Sequence, residues 1–245
     1  MAARWLLWVD GVGGYLMLPG DDWTIGGPGS NWGLGSNWGL GSSGVPASGG
    51  ELGRAEEAEI CVQGDLSARE ACLRRLGGDY VLQPFAAALL GDRRLHRPTP
   101  LRDGDRITFA SRAASSRLVA ERGGAAAGSA AAGRVEMAGV RFSFAKPHPL
   151  SSSARLTLLS RHRVRPRCDA IILLADTCIL GPSRTCHIVA PAAESEVVLL
   201  FSAGRWWCRG MGETNVDGEP RQGRFELVPG TRVESGGIAF TLEAV

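Results

Sequence analysis

Residues 101–109 read Leu-Arg-Asp-Gly-Asp-Arg-Ile-Thr-Phe, and residues 227–233 repeat the pattern as Leu-Val-Pro-Gly-Thr-Arg-Val. Each stretch places a Gly-centred turn before a short run of residues that favour strands. The preceding segments also agree in order. In both halves two apolar runs separated by a turn lead to an apolar-Gly corner, at Ile25-Gly26 and at Leu180-Gly181. Agreement at this scale predicts that the chain is a duplicated module.

The composition favours globular β-structure. Hydrophobic residues make up 44% and charged residues 21% of the 245 residues, which is enough apolar material for a packed core. Apolar runs are short, rich in Val, Ile, Leu and Trp, and bounded by Gly, Pro, Asp or Ser, while helical periodicity is nearly absent. We therefore expect an all-β fold that consists of two β-sandwiches in tandem.

The domain boundaries follow from the repeat. We expect a first sandwich over residues 1–145 and a second over 154–245, joined by the Pro- and Ser-rich linker 146–153. Two segments interrupt the first half, near 29–57 and 113–138, and their Gly, Ser and Ala content predicts flexibility. The first of them contains the hexapeptide Gly-Ser-Asn-Trp-Gly-Leu twice. This repeat is either a recent expansion or a pair of Trp anchors for a partner.

The charge balance argues against nucleic acid as the main partner. The formal net charge is only +2, so little electrostatic attraction to a polyanion is expected. No apolar run approaches the roughly 20 residues of a membrane-spanning helix, and the N-terminal residues do not read as a secretory signal. We therefore expect a cytoplasmic protein without a membrane partner.

The sequence contains none of the common catalytic motifs. It has no Gly-x-Ser-x-Gly elbow, no phosphate-binding Gly-Lys-Ser/Thr loop and no His-Glu-x-x-His, and its four histidines show no partner pattern. The six cysteines include no Cys-x-x-Cys pair, and the adjacent Cys186 and His187 would point to opposite faces of a strand. We therefore predict no enzyme, no metal site and no cofactor, with cysteines that serve as small buried hydrophobic residues.

The order of the motifs resembles that of the forkhead-associated (FHA) domain family. That family has a hydrophobic-Gly-Arg corner, a Ser-x-x-His loop, a strand with an aromatic residue, an Asn-Gly loop and a closing Leu-x-x-Gly-Asp-x-Ile. The matching segments of the first half are Ile25-Gly26, Leu66 to Arg69, Tyr80 to Leu82 and Leu101 to Ile107; those of the second are Leu180-Gly181, Cys186 to Ile188, Arg205 to Trp207 and Leu227 to Val233. The resemblance implies eleven-stranded sandwiches whose apical loops bind phosphothreonine peptides.

The first half retains part of the phosphate site that the resemblance implies. Ser67 stands at the position of the Ser, and Arg69 follows it closely. Gly27 stands where the family has Arg, and Glu70 stands where it has the His that supports the loop. A carboxylate at this place repels a phosphate unless it points into the structure. Ser67 and Arg69 are therefore the candidate phosphopeptide-binding residues.

The second half retains less of that site. Pro182 replaces the Arg and also removes an N–H, and Glu196 occupies the His position. Ala193 falls at the Ser position, with Ser195 as an alternative alignment. Asn215 is interpreted as a remnant of the family's loop Asn. We expect no phosphate pocket in this half.

One dense basic run stands outside the resemblance. Arg161, Arg163, Arg165 and Arg167 lie within seven residues, in a predicted loop between two strands. A solvated loop is the simplest interpretation, and the functional alternative is binding of nucleic acid or of an acidic partner. The principal prediction is a non-catalytic protein–protein interaction or scaffold module of the FHA type. Its partner is a protein, phosphorylated or not, and phosphothreonine binding belongs to the first half.

Overall fold

The computed structural model describes residues 4–28, 58–111 and 139–245. Within these ranges the chain forms 23 strands in three sheets and no helix, which confirms the all-β prediction. Accordingly, no helix of the described part is long and apolar enough to span a membrane. The interruptions predicted near 29–57 and 113–138, including the Trp-containing repeat, lie outside the described residues.

The first half contributes eleven strands to the described structure. They are β1 (Trp5–Val9), β2 (Gly13–Pro19), β3 (Asp22–Gly26), β4 (Ile60–Gln63), β5 (Ala71–Leu76), β6 (Asp79–Pro84), β7 (Ala88–Leu90), β8 (Arg93–Leu95), β9 (Thr99–Leu101), β10 (Arg106–Ala110) and β11 (Gly139–Ala145).

The second half contributes the other twelve described strands. They are β12 (Ala154–Leu158), β13 (Arg163–Arg165), β14 (Ala170–Leu174), β15 (Thr177–Gly181), β16 (Ile188–Val189), β17 (Val197–Ser202), β18 (Arg205–Gly210), β19 (Thr214–Val216), β20 (Glu219–Arg221), β21 (Arg224–Leu227), β22 (Arg232–Ser235) and β23 (Ile238–Ala244).

One long sheet joins the two halves. Its twelve strands follow the order β20-β19-β22-β23-β1-β2-β14-β12-β11-β10-β7-β8. A six-stranded sheet, β13-β4-β3-β5-β6-β9, comes mainly from the first half, and a five-stranded sheet, β16-β15-β17-β18-β21, comes from the second. At the centre of the long sheet the corresponding strands β2 and β14 run side by side in parallel.

The first strand of each half pairs with the last strand of the other. β1 lies against β23, with Val9 opposite Phe240. β12 lies against β11, with Leu156 opposite Phe144. The predicted linker 146–153 therefore does not separate two sheets, because the strands on either side of it are hydrogen-bonded neighbours.

Two hydrophobic cores result from this pairing of each half's first strand with the last strand of the other half, which we call the strand exchange. The first core includes residues of the six-stranded sheet together with Leu156 from β12, and the second includes residues of the five-stranded sheet together with Leu7 from β1. β2 contributes to both, with Leu16 in the first core and Met17 in the second. Successive side chains of a strand point to opposite faces, so the two cores meet β2 from opposite sides. Each core is thus completed by a strand of the other half.

The two halves correspond residue by residue over their central part. Ala71 on β5 and Val197 on β17 pair with equivalent strands, and Leu101 on β9 and Leu227 on β21 do the same. Both pairs are separated by the same 126 residues. Because this spacing of 126 residues is constant from β5 to β10, each residue of that segment has a defined counterpart in the second half.

The repeated turn has the same backbone conformation in both halves. Gly104 has φ 82° and Gly230 has φ 87°, in the left-handed region that favours glycine. In the first copy the carboxylate of Asp105 accepts the Arg102 N–H at 2.7 Å and closes the turn. β10 and β22 begin directly after these turns, as the sequence predicts.

The prediction that the basic run 161–167 is a loop is wrong in one respect, because the run contains a strand. Residues 163–165 form β13, which pairs with β4 of the first half and lies at the edge of the six-stranded sheet. Val164 is buried in the first core, while Arg163 and Arg165 on either side of it are exposed. Three residues are too few to show period-two alternation in the sequence, so the charge dominated the prediction.

Candidate functional site

Three loops meet at one end of the first core and form what we call the first apex: residues 26–28, 64–70 and 85–87. Backbone hydrogen bonds join them. The Gly27 N–H donates to the Ser67 carbonyl at 2.7 Å, and the Phe85 N–H donates to the Glu70 carbonyl at 2.8 Å. These bonds fix the loops relative to one another before any ligand is bound.

The two predicted phosphopeptide-binding residues lie on this apex but face different surroundings. Ser67 is half-buried, and its hydroxyl makes no hydrogen bond within the described part of the chain. Arg69 is exposed, and its guanidinium carbon lies 5.6 Å from the centroid of the Phe85 ring. Phe85 is itself 48% exposed. The apex therefore presents an arginine stacked on an aromatic ring, which the sequence alone did not reveal.

Glu70 points into the structure. It is 1% exposed, and its carboxylate accepts the backbone N–H of Ser67. The side chain thus supports the 64–70 loop, the role that the resemblance assigns to the family's His. Because the Ser67 N–H already donates to this carboxylate, it is not available to a phosphate.

Gly27 is required by the close approach of a neighbouring loop. A Cβ at this position would lie 2.6 Å from the Leu66 carbonyl oxygen. The adjacent Gly26 is tighter still, since its Cβ would lie 1.9 Å from the Ala68 carbonyl oxygen. The Arg that the resemblance implies at position 27 would therefore not fit unless the 64–70 loop moved.

The corresponding apex of the second half has neither an arginine at the counterpart of Gly27 nor a serine at the counterpart of Ser67. The Met211 N–H donates to the Glu196 carbonyl at 3.2 Å, as Phe85 does to Glu70, so Glu196 is the counterpart of Glu70. Ala193 lies at the counterpart of Ser67 and is buried without a hydroxyl, and Pro182 has no N–H. Met211, the counterpart of Phe85, is 63% exposed but is not an aromatic residue.

Asn215 lies in a strand rather than in an apical loop. It is the middle residue of β19, opposite Pro220 and Glu234. Its position in a strand does not support the interpretation as a remnant of the family's loop Asn. The turn that follows does behave as its Asp-Gly sequence predicts, since Asp217 and Gly218 have φ 51° and 85° in a two-residue hairpin.

A matched pair of polar residues supports both corners and was not recognised from the sequence. The Glu59 carboxylate accepts the Thr24 N–H at 2.8 Å, and His187 Nδ1 accepts the Ile179 N–H at 3.0 Å. Each acceptor stands directly before the short parallel strand, β4 or β16. Because those strands are too short to pair with the whole of β3 or β15, a side chain takes the remaining donor. Their equivalence emerges only once the register of the two halves is known.

His187 is expected to make folding stability depend on pH. Burial lowers its pKa from the ordinary 6.5 to about 4, and the neighbouring His148 and Arg155 act in the same direction. Between these values the unfolded chain binds a proton that the folded chain does not, so stability falls as pH falls through this window. We expect a loss of about 2 kcal/mol between pH 7 and pH 5, measured by urea unfolding.

The variant His187→Gln keeps an acceptor for the Ile179 N–H and removes the titrating ring. Its unfolding free energy should therefore lose most of this pH dependence. His96→Gln, which changes an exposed histidine, serves as the control. An unchanged slope in His187→Gln would contradict the assignment.

The cysteines are packed rather than grouped around a site. All six lie in the described ranges and none forms a disulfide. Burial raises the pKa of Cys168 to about 11 and that of Cys208 to about 12. The thiolate, which is the nucleophile and the metal ligand, is therefore disfavoured at these positions. The described residues contain no group of three or more His, Cys, Asp or Glu side chains that could hold a metal ion.

The basic run presents its charges along the edge strand. Arg161, Arg163 and Arg167 are exposed and form no ion pair with a described residue. The carbonyl of Arg165 accepts a hydrogen bond from the Arg4 guanidinium at 2.7 Å, which ties this strand to the start of β1. In the first half, the Asp10–Val12 turn takes the place of this run.

The described surface thus offers an apex with a stacked arginine and an edge strand with exposed arginines. Neither arrangement places a nucleophile beside a base, which acyl transfer or hydrolysis by an activated side chain would need. Both arrangements are suited to contacts with another molecule. Comparisons with known proteins assign no relative: no protein-family model, curated protein or solved structure matches the chain.

Proposed function

We propose that the chain is a non-catalytic protein-interaction module of the FHA type, with two sandwiches in tandem, that contacts a protein partner through the first apex. The observation that carries this proposal is the Arg69–Phe85 pair. Arginine and aromatic residues are enriched among the side chains that dominate interface energies. A guanidinium stacked on an exposed ring is also held in place before binding, which reduces the entropy lost on association.

The rigidity of the apex supports the same function. Phe85 is tied through its N–H to Glu70, and Glu70 is buried and bonded to Ser67. A partner that contacts Arg69 and Phe85 therefore meets a preformed surface. Preformed loops on a β-scaffold are a common arrangement for recognition.

The proposed contact does not depend on phosphothreonine. Glu70 occupies the Ser67 N–H, and the backbone at Gly27 leaves no room for the Arg that would grip the phosphate. The Ser67 hydroxyl and the Arg69 guanidinium remain as donors, which is a small fraction of what a dianionic phosphate requires. The partner is thus recognised by its shape and by contacts with the Arg69–Phe85 pair.

The test uses the full chain, because the exchanged strands leave neither half complete. A library of peptides, each with threonine and with phosphothreonine at one position, is screened for binding. We expect Phe85→Ala and Arg69→Ala to weaken the best ligand by about tenfold or more, as at an interface hot spot. Met211→Ala, at the counterpart of Phe85, should bind normally.

Two outcomes would contradict the proposal. Full binding by Phe85→Ala would remove the apex from the interaction surface. Loss of binding after phosphatase treatment, with the same loss in Ser67→Ala, would show that the apex is a phosphate site after all.

The alternative function is binding of nucleic acid or an acidic partner by β13. It is favoured by one observation, that Arg161, Arg163 and Arg167 are exposed and form no ion pair with a described residue. An oligonucleotide added to the same screen tests it. The alternative requires binding that weakens steeply with salt and disappears when these three arginines are replaced by Gln.

A further inference from the structure

We infer that the open edge of the first core holds an anion-binding cleft for an acidic or phosphorylated peptide segment. This inference does not rest on the first apex. The cleft has a volume of about 650 Å³ and lies between β8, which ends the twelve-stranded sheet, and β9, which ends the six-stranded sheet. Three arginines line it from three different segments: Arg93 on β8, Arg97 in the following loop, and Arg102 after β9.

These arginines have no carboxylate partner of their own. None of the three forms an ion pair with a described residue, and all three are exposed. The single acidic residue of the lining, Asp105, already accepts the Arg102 N–H at 2.7 Å. Three positive charges against one negative charge leave the cleft with a positive field. Arginine is the side chain best suited to bind carboxylate or phosphate with paired N–H donors.

The second half provides an internal comparison for this cleft. Residues 93–102 and their counterparts 219–228 are equally long and form the same edge of the fold. The first segment contains four arginines and no acidic residue, whereas the second contains two arginines and two glutamates. In the second segment Arg221 has a carboxylate within ion-pair distance, since it lies 3.7 Å from Glu219. The framework of the fold therefore does not require an uncompensated row of arginines, and their presence in one copy needs another explanation.

The lining of the cleft favours a peptide over other polyanions. The apolar residues Leu90, Pro98 and Pro100 line it together with the three arginines. Pro98 and Pro100 have no N–H, so this edge is poorly suited to adding a strand, and the ligand must be held through its side chains. A peptide segment supplies apolar and anionic side chains together. A nucleic acid instead needs a row of phosphate contacts, which three arginines at one edge of a protein of net charge +2 do not provide.

The experiment measures fluorescence anisotropy of labelled peptides with the full chain. The probes are a random peptide library rich in Asp and Glu, the same library with phosphoserine, a neutral Asn/Gln version, and a single-stranded oligonucleotide. We expect acidic or phosphorylated members to bind, with the two libraries showing which anion is preferred, and the neutral version not to bind. The triple variant Arg93→Gln/Arg97→Gln/Arg102→Gln should weaken binding of the best ligand by about a thousandfold, since each of the three charged contacts accounts for about a factor of ten.

The matched control removes the same charge elsewhere. Arg161→Gln/Arg163→Gln/Arg167→Gln should retain binding, and so should the apex variant Phe85→Ala. Equal losses in the two triple variants would show a general charge effect and overturn the inference. It would also be overturned by unchanged binding in the cleft variant, by failure of every anionic peptide to bind, or by binding of the oligonucleotide alone.

Discussion

Leu7→Ala is expected to lower the free energy of unfolding by about 2–5 kcal/mol and to do so by loosening the second core. Leu7 belongs to the first half by sequence, but it is fully buried among residues of the second core. Its strand β1 lies between β2 and β23. Removing three carbon atoms there leaves a cavity that the surrounding sheet cannot fill.

The location of the damage can be measured separately from its size. Hydrogen exchange should show that the amides of β23 lose protection in Leu7→Ala, while those of β11 keep it. The near-ultraviolet signal of Trp206, which is 2% exposed and lies 6.1 Å from the Trp5 ring, should change as well. Leu76→Ala makes the same change at a side chain that is 57% exposed and should cost less than about 0.5 kcal/mol. Loss of protection in β11 instead of β23 would contradict the strand exchange.

The exchange also determines how function can be studied. Without the second half, the first core lacks the strand that carries Leu156, and the edge of β11 is left unpaired. Exposed strand edges promote association with other chains. In a binding assay on an isolated half, weak binding could result from misfolding as well as from damage to the site. The proposed tests therefore use the full chain.

The strand content could be predicted because it depends on local chemistry. The turns at Gly104 and Gly230 need a residue that tolerates positive φ, and apolar runs of strand length follow them. The partner of β1 could not be predicted in the same way. Its side chains alternate identically whether it pairs with β11 or with β23, since pairing fixes the register and not the identity of the neighbour. Only the packing of the complete chain distinguishes the two.

The candidate sites, too, could be predicted from the sequence only in part, because their geometry depends on tertiary contacts. The positions of Ser67 and Arg69 follow from the order of the motifs, but the inward direction of Glu70 and the stacking of Arg69 on Phe85 depend on tertiary contacts. The arginines of the cleft lie within ten residues of one another in the sequence, but their common cleft depends on the pairing of β8 and β9 with different sheets.

Gly26→Ala is expected to destabilise the protein far more than Gly181→Ala, although the two glycines occupy the same corner of the repeat. At Gly26 the new Cβ would lie 1.9 Å from the carbonyl oxygen and 2.5 Å from the carbonyl carbon of Ala68, so the backbone of the 64–70 loop must move. At Gly181 the nearest atoms are side-chain atoms, Cγ of Glu196 at 2.9 Å and Sγ of Cys186 at 3.1 Å, which can rotate away.

The energetic cost of overpacking is highest when the backbone has to shift. We therefore expect the free energy of unfolding to fall by about 3 kcal/mol in Gly26→Ala and by about 1 kcal/mol in Gly181→Ala. Urea unfolding of the two variants measures the difference directly. Gly181→Ala is the control, because it makes the same substitution at the equivalent corner of the second half. The same movement would displace Ser67 and Arg69, so Gly26→Ala should also lose the peptide binding proposed for the first apex, whereas Gly181→Ala should retain it. Equal losses of stability would mean that the 64–70 loop moves as easily as a side chain, and the backbone at Gly26 and Gly27 would then not exclude a phosphate-binding arginine.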